Sequence, residues 1–232
     1  MRALSETMIK PKTFSVWSCA LLAAASTACA ADNDVAVAIV YDTSGSMSDP
    51  VHGKTGGGEP KFQIANRALS SIVARLEKFN ASGARKVQAG LFAFSNKGAR
   101  AIVKPGPFDA AAMRAGIAAL GNPKGATPLG TAIDEATAAL AKVKASSRHL
   151  LIITDGENSV GPPPEAFLPK LINDAKKSGS SLHFHFVAFD VDASVFAAVK
   201  KLGVTLAAAG DETQLNEKLT YILEEKILLE KE

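Results

Sequence analysis

One acidic and two hydroxyl side chains stand at alternating positions directly after an apolar segment of the sequence. Residues 35–41 read VAVAIVY, and Asp42, Ser44 and Ser46 follow them. An unbroken apolar run is typical of a strand that is buried on both faces, as in a parallel sheet covered by helices. Ligands of such sheets bind at the carboxyl ends of the strands, and oxygen ligands favour Mg²⁺, Mn²⁺ or Ca²⁺ over zinc. The motif therefore predicts a divalent-cation site, although a polar turn after a strand also accounts for it.

Two further segments of the sequence end in polar residues of a similar kind. The apolar segment 150–154 leads into Asp155, which a glycine follows, and Thr127 directly precedes Pro128. Taken alone, the first is an Asp-Gly turn and the second is a helix N-cap with proline at the first helical position. All these polar residues nevertheless fall at strand ends or helix starts, which a doubly wound sheet can gather on one edge. Their positions favour a shared binding site.

In this order, the five residues resemble the metal-ion-dependent adhesion site of von Willebrand factor type A domains. The matching positions are Asp42, Ser44, Ser46, Thr127 and Asp155. All five match the family pattern, and the resemblance covers the chain from about residue 34 to about residue 225. It implies a Rossmann-like sheet with the first strand near the centre and a metal at the carboxyl ends of the strands.

The donor set is suited to Mg²⁺, or to Mn²⁺ or Ca²⁺, held chiefly by neutral ligands. Mg²⁺ takes six oxygens and keeps several waters. The hydroxyls of Ser44, Ser46 and Thr127 can bind the ion directly, whereas Asp42 and Asp155 can orient them through water or hydrogen bonds. Because neutral hydroxyls leave the ion largely uncompensated, it attracts an anionic sixth ligand. In the family that it resembles, a carboxylate of a partner protein's Asp or Glu takes this place, so we expect a metal-dependent protein-binding or adhesion module.

An enzyme is the principal alternative, because Mg²⁺ at the end of a parallel strand also serves phosphoryl transfer. The sequence contains neither a Gly-x-x-x-x-Gly-Lys-Ser/Thr phosphate loop nor a Gly-x-Ser-x-Gly elbow. The position two residues after Asp42 is Ser44 rather than a second acid, and no basic residue stands beside the motif. We therefore expect no enzyme activity, no catalytic residue and no organic cofactor. A structural domain of the same family without an active metal site is the third hypothesis.

Strand-like and helical patterns alternate along the chain, which predicts an α/β fold with a doubly wound, mostly parallel six-stranded sheet and helices on both faces. The predicted strands are 35–41, 86–94, 99–103, 150–154, 182–189 and 204–208. A short turn joins the second and third of these, so the third is expected to be an antiparallel edge strand. The predicted helices are 62–79, 109–120, 128–143, one that opens at the prolines 162–164 and ends near 177, 196–201, and a last one from 215. In some members of the family that the chain resembles, the last helix shifts with ligand, so residues 215–229 are a candidate switch.

The first 30 residues have the pattern of a secretory signal peptide. Basic residues precede an apolar, small-residue run, which ends in the cleavage-site pattern Ala28–Cys29–Ala30. The run is short and interrupted by serines and a threonine, which argues against a membrane-spanning helix. Cleavage near Ala30 predicts a secreted or periplasmic bacterial protein with no membrane span in the mature chain, in which residues 31–232 form one domain. Acylation of Cys29 is the alternative.

The charge of the chain gives no indication of a nucleic-acid partner. The chain has 26 basic and 23 acidic residues, of which the leader carries three and one, so the remainder has a net charge of only +1. Basic runs interleaved with aromatic residues, which are typical of nucleic-acid-binding surfaces, do not occur in the sequence.

The glycine-rich segment 48–60 follows the first motif and is expected to be a surface loop beside the site. It is either a plain linker or a specificity loop, in which Asp49 and His52 could assist a ligand.

Two other pairs of polar residues have structural explanations as well as functional ones. His183 and His185 share one face of a predicted strand, so a metal pair is conceivable. No third ligand is apparent, and histidines of a core or an interface account for them better. Asp190 and Asp192 could contact a cation, but we expect them to cap the next helix.

Overall fold

The described part of the chain contains six strands in a single sheet. The computed structural model describes residues 34–52, 58–96, 98–179 and 181–229, so the predicted signal peptide and Cys29 lie outside it. The strands are β1 (Val35–Asp42), β2 (Val87–Ser95), β3 (Gly98–Pro107), β4 (Ser147–Thr154), β5 (Ser181–Phe189) and β6 (Thr205–Ala209). Their order is β3-β2-β1-β4-β5-β6, and only the β2–β3 pair is antiparallel among these strands. The predicted fold class is confirmed, including the inner position of β1 and the antiparallel edge strand.

The strand β1 lies between β2 and β4 because its residues are apolar on both faces. All eight residues from Val35 to Asp42 are buried. Since successive side chains of a strand point to opposite faces, β1 contributes to two separate cores. Val37 and Ile39 pack in one core, and Ala38 and Val40 pack in the other.

Helices cover both faces of the sheet. They are α1 (Lys61–Ser82), α2 (Ala110–Ala118), α3 (Leu129–Leu140), α4 (Leu168–Lys177), α5 (Ala197–Lys200) and α6 (Glu212–Tyr221). Residues of α1, α2 and α6 enter the core on one face, and residues of α3, α4 and α5 enter the core on the other. None of the helices in the described ranges is long and apolar enough to cross a membrane.

The ends of several elements differ from the prediction. Helix α3 begins at Leu129 with Pro128 in the position before it, so Thr127 is not the N-cap that its alternative interpretation requires. The proline run opens only the 3₁₀ turn Pro164–Ala166 before α4. The last helix continues from α6 as a π-helical segment, Ile222–Leu228.

Candidate metal centre

The two motif strands are neighbours in the sheet, and they end at the same edge. Asp42 is the last residue of β1, and Asp155 directly follows β4. Tyr41 pairs with Ile153 in the parallel register, so the two strand ends are level. After β1 the chain forms the 3₁₀ turn Gly45–Ser48, which contains the second serine of the motif. The predicted edge therefore carries both motif acids.

Asp42 is fully buried, and its hydrogen-bond partners in the described structure are neutral. Its Oδ1 accepts the N–H of Ser44 at 2.7 Å, and its Oδ2 accepts the hydroxyl of Thr154 at 2.6 Å. Burial raises the pKa of the Asp42 carboxyl to about 6; the bonds from Thr154 and Ser44 oppose the rise, and the charge of Asp155 adds to it. Asp42 thus fixes the start of the motif turn while its own charge is poorly compensated, which favours a nearby cation.

The hydroxyls of Ser44 and Ser46 lie side by side at this edge. Their Oγ atoms are 3.3 Å apart, and Ser46 Oγ donates to Asp155 Oδ1 at 2.8 Å. An octahedral Mg²⁺ with bonds of about 2.1 Å, or a Ca²⁺ with somewhat longer bonds, places adjacent ligand oxygens roughly 3.0 to 3.4 Å apart. The spacing of the two hydroxyls fits neighbouring ligand positions on one ion, with Asp155 orienting Ser46.

Thr127 is held in place by hydrogen bonds of its own backbone, and it does not cap a helix. Its N–H donates to Ser159 Oγ at 2.8 Å, and its carbonyl accepts the Ser159 N–H at 2.9 Å. The carbonyl of Gly125 accepts the N–H of Gly45 at 2.9 Å, which joins this loop to the motif turn. Gly125 has a φ of +89°, and a Cβ there would overlap the side chain of Asn96, so the position requires glycine. The loop of Thr127 thereby lies at the same edge as the other four motif residues.

Lys61 also lies at this edge of the sheet, although its place in the sequence gives no sign of it. Its Nζ lies 3.0 Å from Oδ2 of Asp155 and 3.4 Å from Oδ2 of Asp190, and its side chain is 6% exposed. The prediction that no basic residue stands beside the motif is therefore wrong, because the first turn of α1 brings Lys61 back to the end of β4. Burial acts to lower the pKa of Lys61, but the hydrogen bonds and charges of Asp155 and Asp190 outweigh it and hold the pKa above its ordinary value. The Lys61 side chain is a charged ammonium within the site.

Asp190 extends the polar edge to the end of β5. Its carboxylate contacts Lys61, accepts the backbone N–H of His52 at 3.3 Å, and lies 3.0 Å from His52 Nδ1. Its φ is +53°, in the left-handed region. The prediction that Asp190 caps the next helix is wrong, whereas Asp192 does cap the following 3₁₀ turn by accepting a backbone N–H at 2.8 Å. Residues 53–57 of the adjoining loop lie outside the described residues.

The histidines of β4 and β5 form a stack rather than a metal site. The rings of His149, His183 and His185 have centroids 5.1 to 6.5 Å apart and planes within 19° of each other. His149 and His185 are buried, and His149 Nδ1 lies 3.1 Å from His185 Nε2. Within the described ranges, no three or more His, Cys, Asp or Glu side chains are grouped so that they could hold a metal. The adhesion-site pattern consists mainly of hydroxyls and is a different kind of donor set.

The fold is similar to several solved structures. The PilB minor pilin from Streptococcus sanguinis is 16% identical, with a TM-score of 0.63 over 84% of this chain and 61% of its own. The pilus adhesin SpaC from Lactobacillus rhamnosus GG, in its open conformation, is 14% identical, with a TM-score of 0.64 over 83% of this chain and 30% of its own. A von Willebrand factor type A protein from Catenulispora acidiphila is 18% identical, with a TM-score of 0.61 over 82% of this chain and 42% of its own. The chain spans about three fifths or less of these proteins, and at such identities the likeness shows the fold alone.

The sequence itself identifies the family. No curated protein matches the chain. The family model described as von Willebrand factor type A domain matches residues 37–157, a range that contains all five motif residues. It runs from β1 to just beyond β4, the two strands whose ends carry the motif acids. The chain belongs to the von Willebrand factor type A domain family.

Proposed function

We propose that the protein is a divalent-metal-dependent protein-binding or adhesion module. In this proposal, Ser44, Ser46 and Thr127 bind Mg²⁺ (or Mn²⁺ or Ca²⁺), while Asp42 and Asp155 orient them through hydrogen bonds. The observation that carries the proposal is the pair of serine Oγ atoms 3.3 Å apart, one of them bonded to a motif acid. When bound, the metal supplies an electrophilic centre at the edge of the sheet.

The ligand chemistry of the site favours a carboxylate of a partner protein as the group that completes it. Hydroxyl ligands bring no charge to a divalent ion, so an anionic ligand is attracted to the remaining position. An Asp or Glu side chain of a partner has this charge and a hard oxygen. The proposed partner is thus a protein with an exposed acidic residue, and nucleic acid is not proposed.

We infer from the leader that the protein acts outside the cytoplasm of a bacterium, either secreted or in the periplasm. The basic region, the short apolar run and the Ala-x-Ala pattern support cleavage near Ala30. Residues 31–232 would then be a single domain of the family, and its site would take up Mg²⁺ or Ca²⁺ from the medium outside the cytoplasm.

A structural domain without a bound metal is the second candidate, and Lys61 is the observation that favours it. The ammonium already forms an ion pair with Asp155 at 3.0 Å, so one motif acid has a cation without any metal. No catalytic role is proposed, because two carboxylates engage Lys61 rather than leaving it to hold a phosphate.

Calorimetric titration of the protein with Mg²⁺, Mn²⁺ and Ca²⁺ tests the proposal. We expect the native protein to bind at least one of these ions, more tightly in the presence of acetate, and we expect Asp42→Ala and Thr127→Ala to weaken this binding at least 100-fold. Thr213→Ala is the matched control, because Thr213 is exposed on α6 and should leave binding unchanged. Absence of binding with and without acetate would favour the metal-free structural domain.

A further inference from the structure

Lys61 occupies an unusual place for a lysine, between two acids at the edge of the sheet. Its side chain is 6% exposed, and the Asp155 and Asp190 side chains that it contacts are 0% and 8% exposed. The Lys170–Asp174 pair on α4 is a useful contrast, because its side chains are 79% and 49% exposed. Solvent screens that surface pair, whereas the charge of Lys61 acts on its neighbours with little screening.

The backbone around Lys61 fixes the ammonium in this position. Lys61 is the first residue of α1, and its N–H donates to the carbonyl of Asp49 at 3.0 Å. Its Nζ contacts the acids that follow β4 and β5, two neighbouring strands. Withdrawal of the side chain would take the ammonium away from two buried carboxylates, which is costly.

We propose that Lys61 is a built-in counter-ion that sets the metal affinity of the site and makes retention of the metal depend on the partner's carboxylate. This inference rests on the proposed function and names a residue outside the five-residue motif. Lys61 is a positioning residue, since it acts through Asp155.

The two oxygens of the Asp155 carboxylate have different partners, and this supports the inference. Its Oδ1 accepts the hydroxyl of Ser46, and its Oδ2 accepts from Lys61. The ammonium therefore compensates part of the charge that Asp155 would otherwise present to a metal, which leaves Asp42 as the motif acid with neutral partners. A site with less negative charge holds a divalent ion more weakly, but it leaves the bound ion with more positive potential for an anionic ligand.

The test compares three substitutions of Lys61 by calorimetric titration with Mn²⁺, alone and with acetate. Lys61→Met removes the charge and keeps a straight apolar chain, Lys61→Gln removes the charge and keeps a hydrogen-bond donor, and Lys61→Arg keeps the charge. We expect the Met and Gln variants to bind Mn²⁺ at least tenfold more tightly than the native protein. We also expect acetate to enhance their Mn²⁺ binding by a smaller factor, at least threefold below the native enhancement. Lys61→Arg should stay within threefold of the native affinity.

Lys124→Met is the matched control for loss of one positive charge near the site. Lys124 is exposed, and its backbone N–H donates to the carbonyl of Thr43 at 2.9 Å, so it lies beside the motif turn. Because solvent screens an exposed charge, its removal should change Mn²⁺ affinity by less than twofold. An equal gain in Lys124→Met would overturn the assignment to Lys61, as would unchanged or weaker Mn²⁺ binding in a folded Lys61→Met or Lys61→Gln variant.

The same titrations separate this inference from the proposed function. If the native protein binds no metal and Lys61→Gln does, Lys61 is the counter-ion but the native site is a structural one. If the native protein binds Mn²⁺ and the Lys61 variants do not differ from it, the proposed function stands and the inference fails. If no variant binds Mn²⁺ with or without acetate, both are overturned.

Discussion

The two motif acids occupy equivalent places at the ends of neighbouring strands, but their surroundings are opposite. Asp42 ends β1 and is hydrogen-bonded by a backbone N–H and a hydroxyl, both neutral. Asp155 follows β4 and forms an ion pair with the Lys61 ammonium. Burial raises the pKa of Asp42 to about 6.

The two acids of one motif can therefore have different roles, because their neighbours differ. The negative charge of a buried acid with neutral partners is not compensated, and a bound metal ion can compensate it. The charge of a buried acid that is paired with an ammonium is already compensated, and such an acid can orient a neighbouring hydroxyl. If the site holds the proposed metal, we expect Asp42 to contribute the larger part of its affinity and the Lys61–Asp155 pair to adjust that affinity through its charge.

The largest effect is expected from removing the acid with neutral partners. Asp42→Ala deletes the carboxylate that fixes the N–H of Ser44 and the hydroxyl of Thr154. We expect metal affinity to fall at least 100-fold, as measured by calorimetric titration with Mn²⁺. If Asp42→Ala keeps an affinity within tenfold of the native value, Asp42 does not contribute the larger part of the metal affinity.

Burial of Asp42 should make the stability of the protein depend on pH. Without metal, the folded-state pKa of Asp42 is about 6, above the ordinary value of 3.8, so the folded state binds more protons than the unfolded state between these pH values. The contribution of Asp42 to the free energy of unfolding should therefore be highest below pH 4. It should fall by about 3 kcal/mol as the pH rises through 6.

The free energy of unfolding can be measured by denaturant titration in the presence of a metal chelator, from pH 4 to pH 7.5, for the native protein and for Asp42→Asn. The asparagine variant lacks the titrating group, so the native-minus-variant difference in unfolding free energy isolates the contribution of Asp42. A difference that is flat across this pH range would show that burial of Asp42 does not raise its pKa in the folded protein.

Thr154→Val should have an intermediate effect, because it removes one neutral donor from the buried Asp42 carboxylate without changing the size of the side chain. Loss of the 2.6 Å hydrogen bond should raise the pKa of Asp42 further and lower the unfolding free energy at pH 7 by about 2 kcal/mol. It should weaken Mn²⁺ binding about tenfold, because a higher pKa lets a proton compete with the ion for Asp42 and because the outer-shell partners of metal ligands typically contribute this much affinity. Thr137→Val is a control for the substitution, since the Thr137 hydroxyl donates to the Ile133 carbonyl within its own helix at 2.7 Å.

The smallest effect is expected from Ser159→Ala, which tests the loop of Thr127. The substitution removes the acceptor for the Thr127 N–H at 2.8 Å but keeps the backbone bond to its carbonyl. We expect about a threefold loss of Mn²⁺ affinity and a loss of roughly 1 kcal/mol in unfolding free energy. A loss as large as that of Asp42→Ala would show that the position of Thr127 controls the site as strongly as Asp42 does.

Much of the fold was accessible from the sequence because its signals are local. The apolar run before Asp42 predicted a strand buried on both faces, and all eight residues of β1 are buried. The sequence pattern of the site likewise named Asp42 and Asp155, which do lie at the ends of adjacent strands. The role of Thr127 was ambiguous from the sequence, because a hydroxyl before Pro128 is typical of an N-cap. Its contacts with Ser159, together with the bond between Gly45 and Gly125, show how its loop is held.

The α/β class and the five positions of the motif can be read from the sequence, since apolar patterns and a short motif are properties of neighbouring residues. Which groups surround those five residues depends on the tertiary structure. Lys61 is 94 positions from Asp155, Thr154 is 112 from Asp42, and His52 is 138 from Asp190. Contacts over such separations leave no periodic trace in the sequence, because they depend on the sheet order and on the first turn of α1. The charge around the motif is therefore a property of the fold, whereas the oxygen atoms of the motif are a property of the sequence.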